Sequence, residues 1–178
     1  MTQQEIWARG RSYLLGQAEK LDFAAAWPRV MEARSALLAA VADVTEAQAA
    51  FRPSGSPGEE QPWSLAMVTR HIATSSRNVL GIIEATASGG TAPEDPIATQ
   101  GEVDYASFAD ARKALIDVSI ELAGLIGRLP ATPNLEVTVR HGWFGDLNCR
   151  AWFLFQRLHD NDHAGQIVQI RAAEGFPA

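Results

Sequence analysis

Apolar residues recur at threes and fours along four stretches of the chain, and glycine- and proline-rich segments separate them. In the first stretch Trp27, Val30, Leu37, Val41 and Val44 mark one helical face, which Leu38 widens. The second opens at Pro62-Trp63-Ser64, where Ser64 is the expected N-cap, and carries Leu65, Val68, Ile72, Ser75, Val79 and Ile82. The third runs through Phe108, Ala111, Leu115, Val118, Leu122, Leu125 and Leu129 before Pro130 stops it. The fourth carries Trp152, Phe155, Ile167 and Ile170 and closes near Gly175 and Pro177. Helices of about 20 residues are roughly 30 Å long. Four amphipathic helices of matching length predict an all-α fold, an antiparallel four-helix bundle. The first 20 residues supply a further N-terminal helix against it.

The connections agree with this layout. Residues 52–62 form a breaker-rich loop, and residues 88–105, with Gly89-Gly90 and two prolines, are long enough to cross a bundle end. Between residues 130 and 147, Glu136 to Arg140 alternate like a short strand. No repeat or low-complexity segment divides the chain, so residues 1–178 are expected to form a single domain.

Composition narrows the partners. The 178 residues are 47% hydrophobic with five tryptophans, enough for one sizeable core. A net charge of −6 and the lack of any long Lys/Arg run argue against a nucleic-acid partner. No apolar run approaches the roughly 20 residues that span a bilayer, so no membrane partner is expected. The N-terminal residues lack the apolar core of a secretory signal, and Cys149 is the only cysteine, so the expected location is cytoplasmic.

The chemistry centres on HDNDHAGQ, residues 159–166. Residues four apart lie about 40° apart around a helix, so His159 and His163 share a face. Extending the stripe from Trp152 and Phe155 passes through His159, His163 and Gln166 to Ile170, placing polar groups inside the core face. Buried polar groups need partners, and two imidazoles cannot fully satisfy each other, whereas a divalent cation would satisfy both. Taken alone an H-x3-H pair is weak evidence, and with Asp160 and Asp162 beside it a solvated His–carboxylate patch is the plain alternative. His71, on the flank of the second helix's stripe, can supply a third nitrogen or be an ordinary core histidine. Three imidazoles suit zinc with a fourth position left open; nickel or iron would accept the same ligands.

These residues resemble the DinB-like superfamily, metal-binding four-helix bundles unrelated to the lesion-bypass polymerase of that name. The resemblance is carried by Pro62-Trp63-Ser64 with Arg70-His71-Ile72, by HGWFGDL from His141 to Leu147, and by the run from Trp152 to Ile167, and covers about residues 27–174. It implies metal ligation by His71, His159 and His163. Some relatives transfer bacillithiol or use mycothiol in an isomerisation, so it also implies a metal-dependent thiol transferase acting on a small electrophile, and a homodimer. Where relatives often have proline after the loop histidine, this chain has Gly142, which loosens the loop and leaves the metal ligands untouched.

Other readings stay open beside that one. The bundle could be a non-catalytic metal-stabilised dimer or a small-ligand sensor. A metal-dependent hydrolase is a further alternative, though no Glu follows His159 as in H-E-x-x-H. Gln166 could orient an imidazole or simply bridge helices, and Asp162 could accept a ligating histidine's second N–H or stay solvated. Arg34, on the first helix's stripe, could meet an anionic substrate or snorkel to solvent. His141, with Gly142 and Gly145 close by, is expected to cap a turn or helix rather than ligate. Cys149 is expected to be a buried inert thiol, and Trp63, Trp143 and Trp152 to pack the core and helix ends rather than form a cage. Proton competition at free imidazole predicts metal release below about pH 6.

Overall fold

A computed structural model describes residues 2–55, 62–92 and 105–178 of the chain. Helix α1 (Gln3–Lys20) opens on a capping box in which Thr2 and Glu5 exchange hydrogen bonds. Helix α2 (Phe23–Val41) starts four residues before Trp27, because Asp22 caps it by accepting from the Ala25 N–H. A short helix, α3 (Glu46–Ala50), follows. Helix α4 (Leu65–Ala87) begins at the expected cap, Ser64, whose side chain accepts from Met67. Helix α5 (Phe108–Ala123) is shorter than its stripe predicts. At Gly124 the chain tightens into a 3₁₀ turn, Leu125–Arg128, which keeps Leu125 buried. Arg128 folds back there to the carbonyl of Glu121, serving one of the groups the helix end leaves free. Helix α6 (Cys149–Arg171), capped by Asn148, carries the histidine pair.

Contacts along the helices fix their directions. Phe23 meets Phe153 at one end of α2 and α6, and Arg171 reaches Ala40 and Asp43 at the other, so these two run parallel. Arg70 reaches the carbonyl of Tyr105, just before α5, and Glu84 pairs with Arg128, just after it, so α4 and α5 are also parallel. Trp27 bonds Ala123 and Arg112 bonds Ala42, so α2 and α5 are antiparallel. His71 beside His159 and Ser76 beside Gln156 make α4 and α6 antiparallel as well. The order is up-down-down-up. The ends joined by residues 88–107 therefore lie at opposite ends of the bundle, where the sequence suggests a crossing at one end. Most of that connection, and most of the expected loop at 52–62, lies outside the described residues. The N-terminal helix packs on α6, with Tyr13 accepting from Arg157.

The strand expected near Glu136–Arg140 is β1 (Thr138–His141), and it pairs antiparallel with a second strand that alternation did not suggest, β2 (Gly145–Asn148). Gly145, at φ +69°, supplies the left-handed turn residue. The hairpin seals one end of the bundle: the Trp152 indole N–H donates to Val139, and Trp7 of α1 stacks on Trp143. Gly10 permits this approach, since a Cβ there would lie 2.6 Å from the Phe144 ring. None of the described helices is long and apolar enough to cross a membrane.

Inside the bundle the stripes meet as one core, including Leu37, Leu65, Ile72, Leu115, Leu122 and Trp152. Each fully buried Leu or Ile contributes about 1.5–3 kcal/mol through apolar area removed from water. At its centre sits a polar knot. Arg34 of α2 pairs with Asp160 of α6 through two bonds of 2.8 and 3.0 Å, both side chains at 0% exposure. Its other donors reach Ser119 of α5, Ser76 of α4 and Gln156 of α6. Arg34 thus neither meets solvent nor waits for an anionic ligand. All three of its nitrogens are engaged by acceptors on the other three bundle helices.

Removing one member of such a pair leaves a buried charge without a partner. Arg34→Met alone is expected to destabilise the protein by about 3–5 kcal/mol, while Arg34→Met combined with Asp160→Leu recovers most of that loss. Urea denaturation of the three proteins checks this, and equal loss in single and double variants would count against it.

Candidate metal centre

Helix α6 turns its polar positions in two directions. Gln156 and Asp160 face α2 and Arg34, while His159, about 100° further round, faces α4. There the Nε2 atom of His159 lies 3.0 Å from Nε2 of His71 and 3.2 Å from Nε2 of His163. The three side chains offer one ligand atom each, all within 4.8 Å of one another. For bonds of about 2.0–2.1 Å, nitrogens on a common ion lie about 2.9 Å apart at right angles and about 3.3–3.4 Å apart at tetrahedral angles. The two observed spacings fall between those limits. Hydrogen bonds alone cannot serve this cluster: one proton on His159 Nε2 can reach only one of its two neighbours, and His159 Nδ1 is buried with no partner. The residues present fit a divalent cation.

Neighbours set the protonation. Gln166 Oε1 lies 2.8 Å from Nδ1 of His163 and accepts its proton, which leaves Nε2 of that ring bare and facing the cluster. Burial, followed by the charge of His163, lowers His71 from 6.5 to about 4. Burial also pushes His159 well below the ordinary imidazole value, with His163, His71, Arg34 and His141 adding to the effect. The partly accessible face of His159 opens on an internal cavity. His71 and His159 are therefore neutral at pH 7, the form that ligates metal. Asp160, beside His159, is pushed up by burial and pulled back by Arg34, whose bidentate contact keeps it ionised.

The cavity has a volume of about 160 Å³. The three histidines line one side, and Trp63, Trp143, Trp152 and Phe155 supply apolar walls. The three tryptophans expected only to pack the core and helix ends therefore also enclose the candidate site. Trp63 packs edge-on against His71 and parallel to His163, with ring centres 5.1 and 6.3 Å away. Concavity has no periodic signature, so the chain pattern could not reveal these walls. Asp162 is exposed at the cavity's edge and accepts no hydrogen bond from a histidine. Cys149 is fully buried away from the cavity, and burial raises its thiol pKa. His141 caps the hairpin turn as its glycine neighbours suggest, its Nδ1 accepting from the N–H groups of Trp143 and Phe144 at 3.1 and 3.3 Å.

A pH dependence follows for the metal-free protein. His71 and His141 take up protons near 6.5 in the unfolded chain but only at about 4 in the fold. Stability is therefore full above about pH 6.5 and declines as pH falls towards 4, because the unfolded chain binds more protons in that window. Thermal melting after chelation should show a falling midpoint between pH 6.5 and 5, a range in which few carboxylates titrate. A flat midpoint there would contradict the neutral buried histidines.

Comparison with known proteins places the site in a lineage. A family model described as DinB superfamily matches residues 29–167, a span that holds all three clustered histidines, Gln166 and the hairpin. Neither the curated proteins nor the solved structures returned a match. The matched span is well over half of the chain, its helical bundle agrees with it, and the protein belongs to the DinB superfamily.

Proposed function

We propose that the protein binds a divalent metal ion, zinc or nickel, through His71, His159 and His163, and transfers a low-molecular-weight thiol to a small electrophile. The observation that supports this reading is the convergence of three imidazole Nε2 atoms on the wall of an aromatic-lined cavity. A divalent ion held by neutral ligands keeps its full charge and so acidifies a thiol or water in its open position. The chain's own residues contribute the rest. Gln166 fixes the His163 ring, the aromatic walls exclude water, and the cavity limits the electrophile's size. The chain's single thiol, Cys149, does not line the cavity. Hydrolysis fits less well, because the carboxylate next to His159 is tied to Arg34 and cannot serve as a base. We further propose that the chain pairs as a homodimer in the cytoplasm; a solution mass near 19.2 kDa would exclude the dimer.

Metal analysis of untagged protein should find about one divalent ion per chain. His163→Ala should lose most of it and His141→Ala should retain it; equal content in both variants would defeat the ligand assignment. Gln166→Leu should weaken affinity by about 10–100-fold, the usual effect of removing a group that orients a ligating histidine. Because burial holds His71 at about 4, release on acidification should begin below the pH of about 6 expected for free imidazole. Turnover with bacillithiol, mycothiol or glutathione should vanish in His159→Ala. Turnover that survives loss of the metal would refute the mechanism, and the absence of turnover with every thiol would favour a small-ligand sensor or a metal-stabilised structural dimer.

A further inference from the structure

His141 has one nitrogen too many for a turn cap. Its Nδ1 receives two backbone N–H groups, from Trp143 and Phe144, so that atom carries the lone pair and the ring proton resides on Nε2. The ring is 3% exposed and wedged among Phe144, Trp152 and Phe155, with centroids 4.7, 5.3 and 4.6 Å away, so it cannot turn to find another partner. Among the described residues nothing accepts from Nε2, and unlike Nδ1 of His159 that atom is not fully enclosed, so it is free to donate to a molecule in the cavity. The same ring lines the cavity that His71, His159 and His163 border.

We propose that His141 is the hydrogen-bond donor of a ligand subsite that takes a small carboxylate carrying an aromatic or branched apolar body. The inference rests on the metal reading above and deepens it. A carboxylate has one oxygen for a cation at the histidine cluster and another for the His141 Nε2–H. Among the described residues no Lys or Arg lines the cavity, so the neutral His141 Nε2–H is the ring donor that complements a cation at the cluster, and the acidic side chain there, Asp162, is exposed at the edge. Behind the head group, Trp63, Trp143, Trp152, Phe155 and Val79 offer apolar surface, broken by the indole edges and the Ser75 hydroxyl. A volume of about 160 Å³ resembles that of an apolar cavity of about 150 Å³ that holds benzene, so the body is about one ring in size. Trp143, at 59% exposure, sits where such a ligand would enter.

The test uses benzoate and zinc. Side-chain ¹⁵N–¹H correlation on the metal-free protein should show His141 as the Nε2–H tautomer, and benzoate added to zinc-loaded protein should shift that proton. His141→Asn keeps an acceptor, Oδ1, for the Trp143 and Phe144 N–H groups but removes the donor facing the cavity. Calorimetric titration should find that this variant retains zinc and binds benzoate roughly 10–100-fold more weakly, the loss expected for one hydrogen bond to a charged group. An Nδ1–H tautomer, equal benzoate affinity in variant and wild type, or no benzoate binding by zinc-loaded wild type would each overturn the proposal. Failure of the wild type to take up zinc would instead refute the metal reading, while the tautomer of His141 is decided without it.

Discussion

The Arg34–Asp160 pair is the contact on which the rest of the arrangement turns. There a side chain of α2 bonds to each of the other three bundle helices. Its energetic value is not its stability, since desolvating two charges offsets much of their attraction and a well-packed apolar pair can do as well. Its value is geometric. A guanidinium has a fixed fork of donors, so engaging all three of its nitrogens sets the rotation and the axial position of each helix that provides an acceptor. Apolar stripes alone would allow α6 to slide or roll by a fraction of a turn at modest loss.

That rotation decides where the histidines go. His159 and Asp160 are neighbours in sequence and so point about 100° apart on α6. Locking Asp160 onto Arg34 leaves His159 one direction, towards α4, where His71 lies, and His163 follows one turn on. Arg34 also contributes a fixed positive charge that disfavours protonation of His159, after burial and its two histidine neighbours. The same buried pair thus places the imidazoles and helps to keep His159 neutral.

The sequence carries this design unevenly. Helix positions and the histidine face were legible because periodicity is local: the stripe through Trp152, Phe155, His159, His163 and Ile170 is written in consecutive residues. Arg34 was visible as a charge on an apolar stripe, but its partner lies 126 residues away, and no local rule connects them. The end of α5 at Gly124 was hidden because the hydrophobic stripe continues through Leu125, and one glycine in a helical pattern is compatible with either outcome. The second strand escaped because Gly145 to Asn148 lacks alternation, and only its pairing with Thr138–His141 makes it a strand. The helix directions are set by which ends meet, through contacts such as Arg171 with Asp43, and amphipathicity is silent about them.

The hairpin ties the two halves of the site together. His141 spends one nitrogen on folding the turn and keeps the other for the cavity, so the contact that shapes the hairpin also fixes which ring atom bears the proton. Trp143, two residues on, stacks on Trp7 and forms part of the cavity's rim, which couples the N-terminal helix to the site's opening. The polar knot around Arg34 positions the metal-facing histidines from below, and the hairpin positions the opposite wall from above. The two constraints meet in α6, through Asp160 on one side and Trp152 on the other, and both also touch α4. A change in the hairpin acts first on the cavity wall that His141 and Trp143 form, rather than on the three histidines. Because α6 carries two of those histidines, a change in the knot would disturb them first.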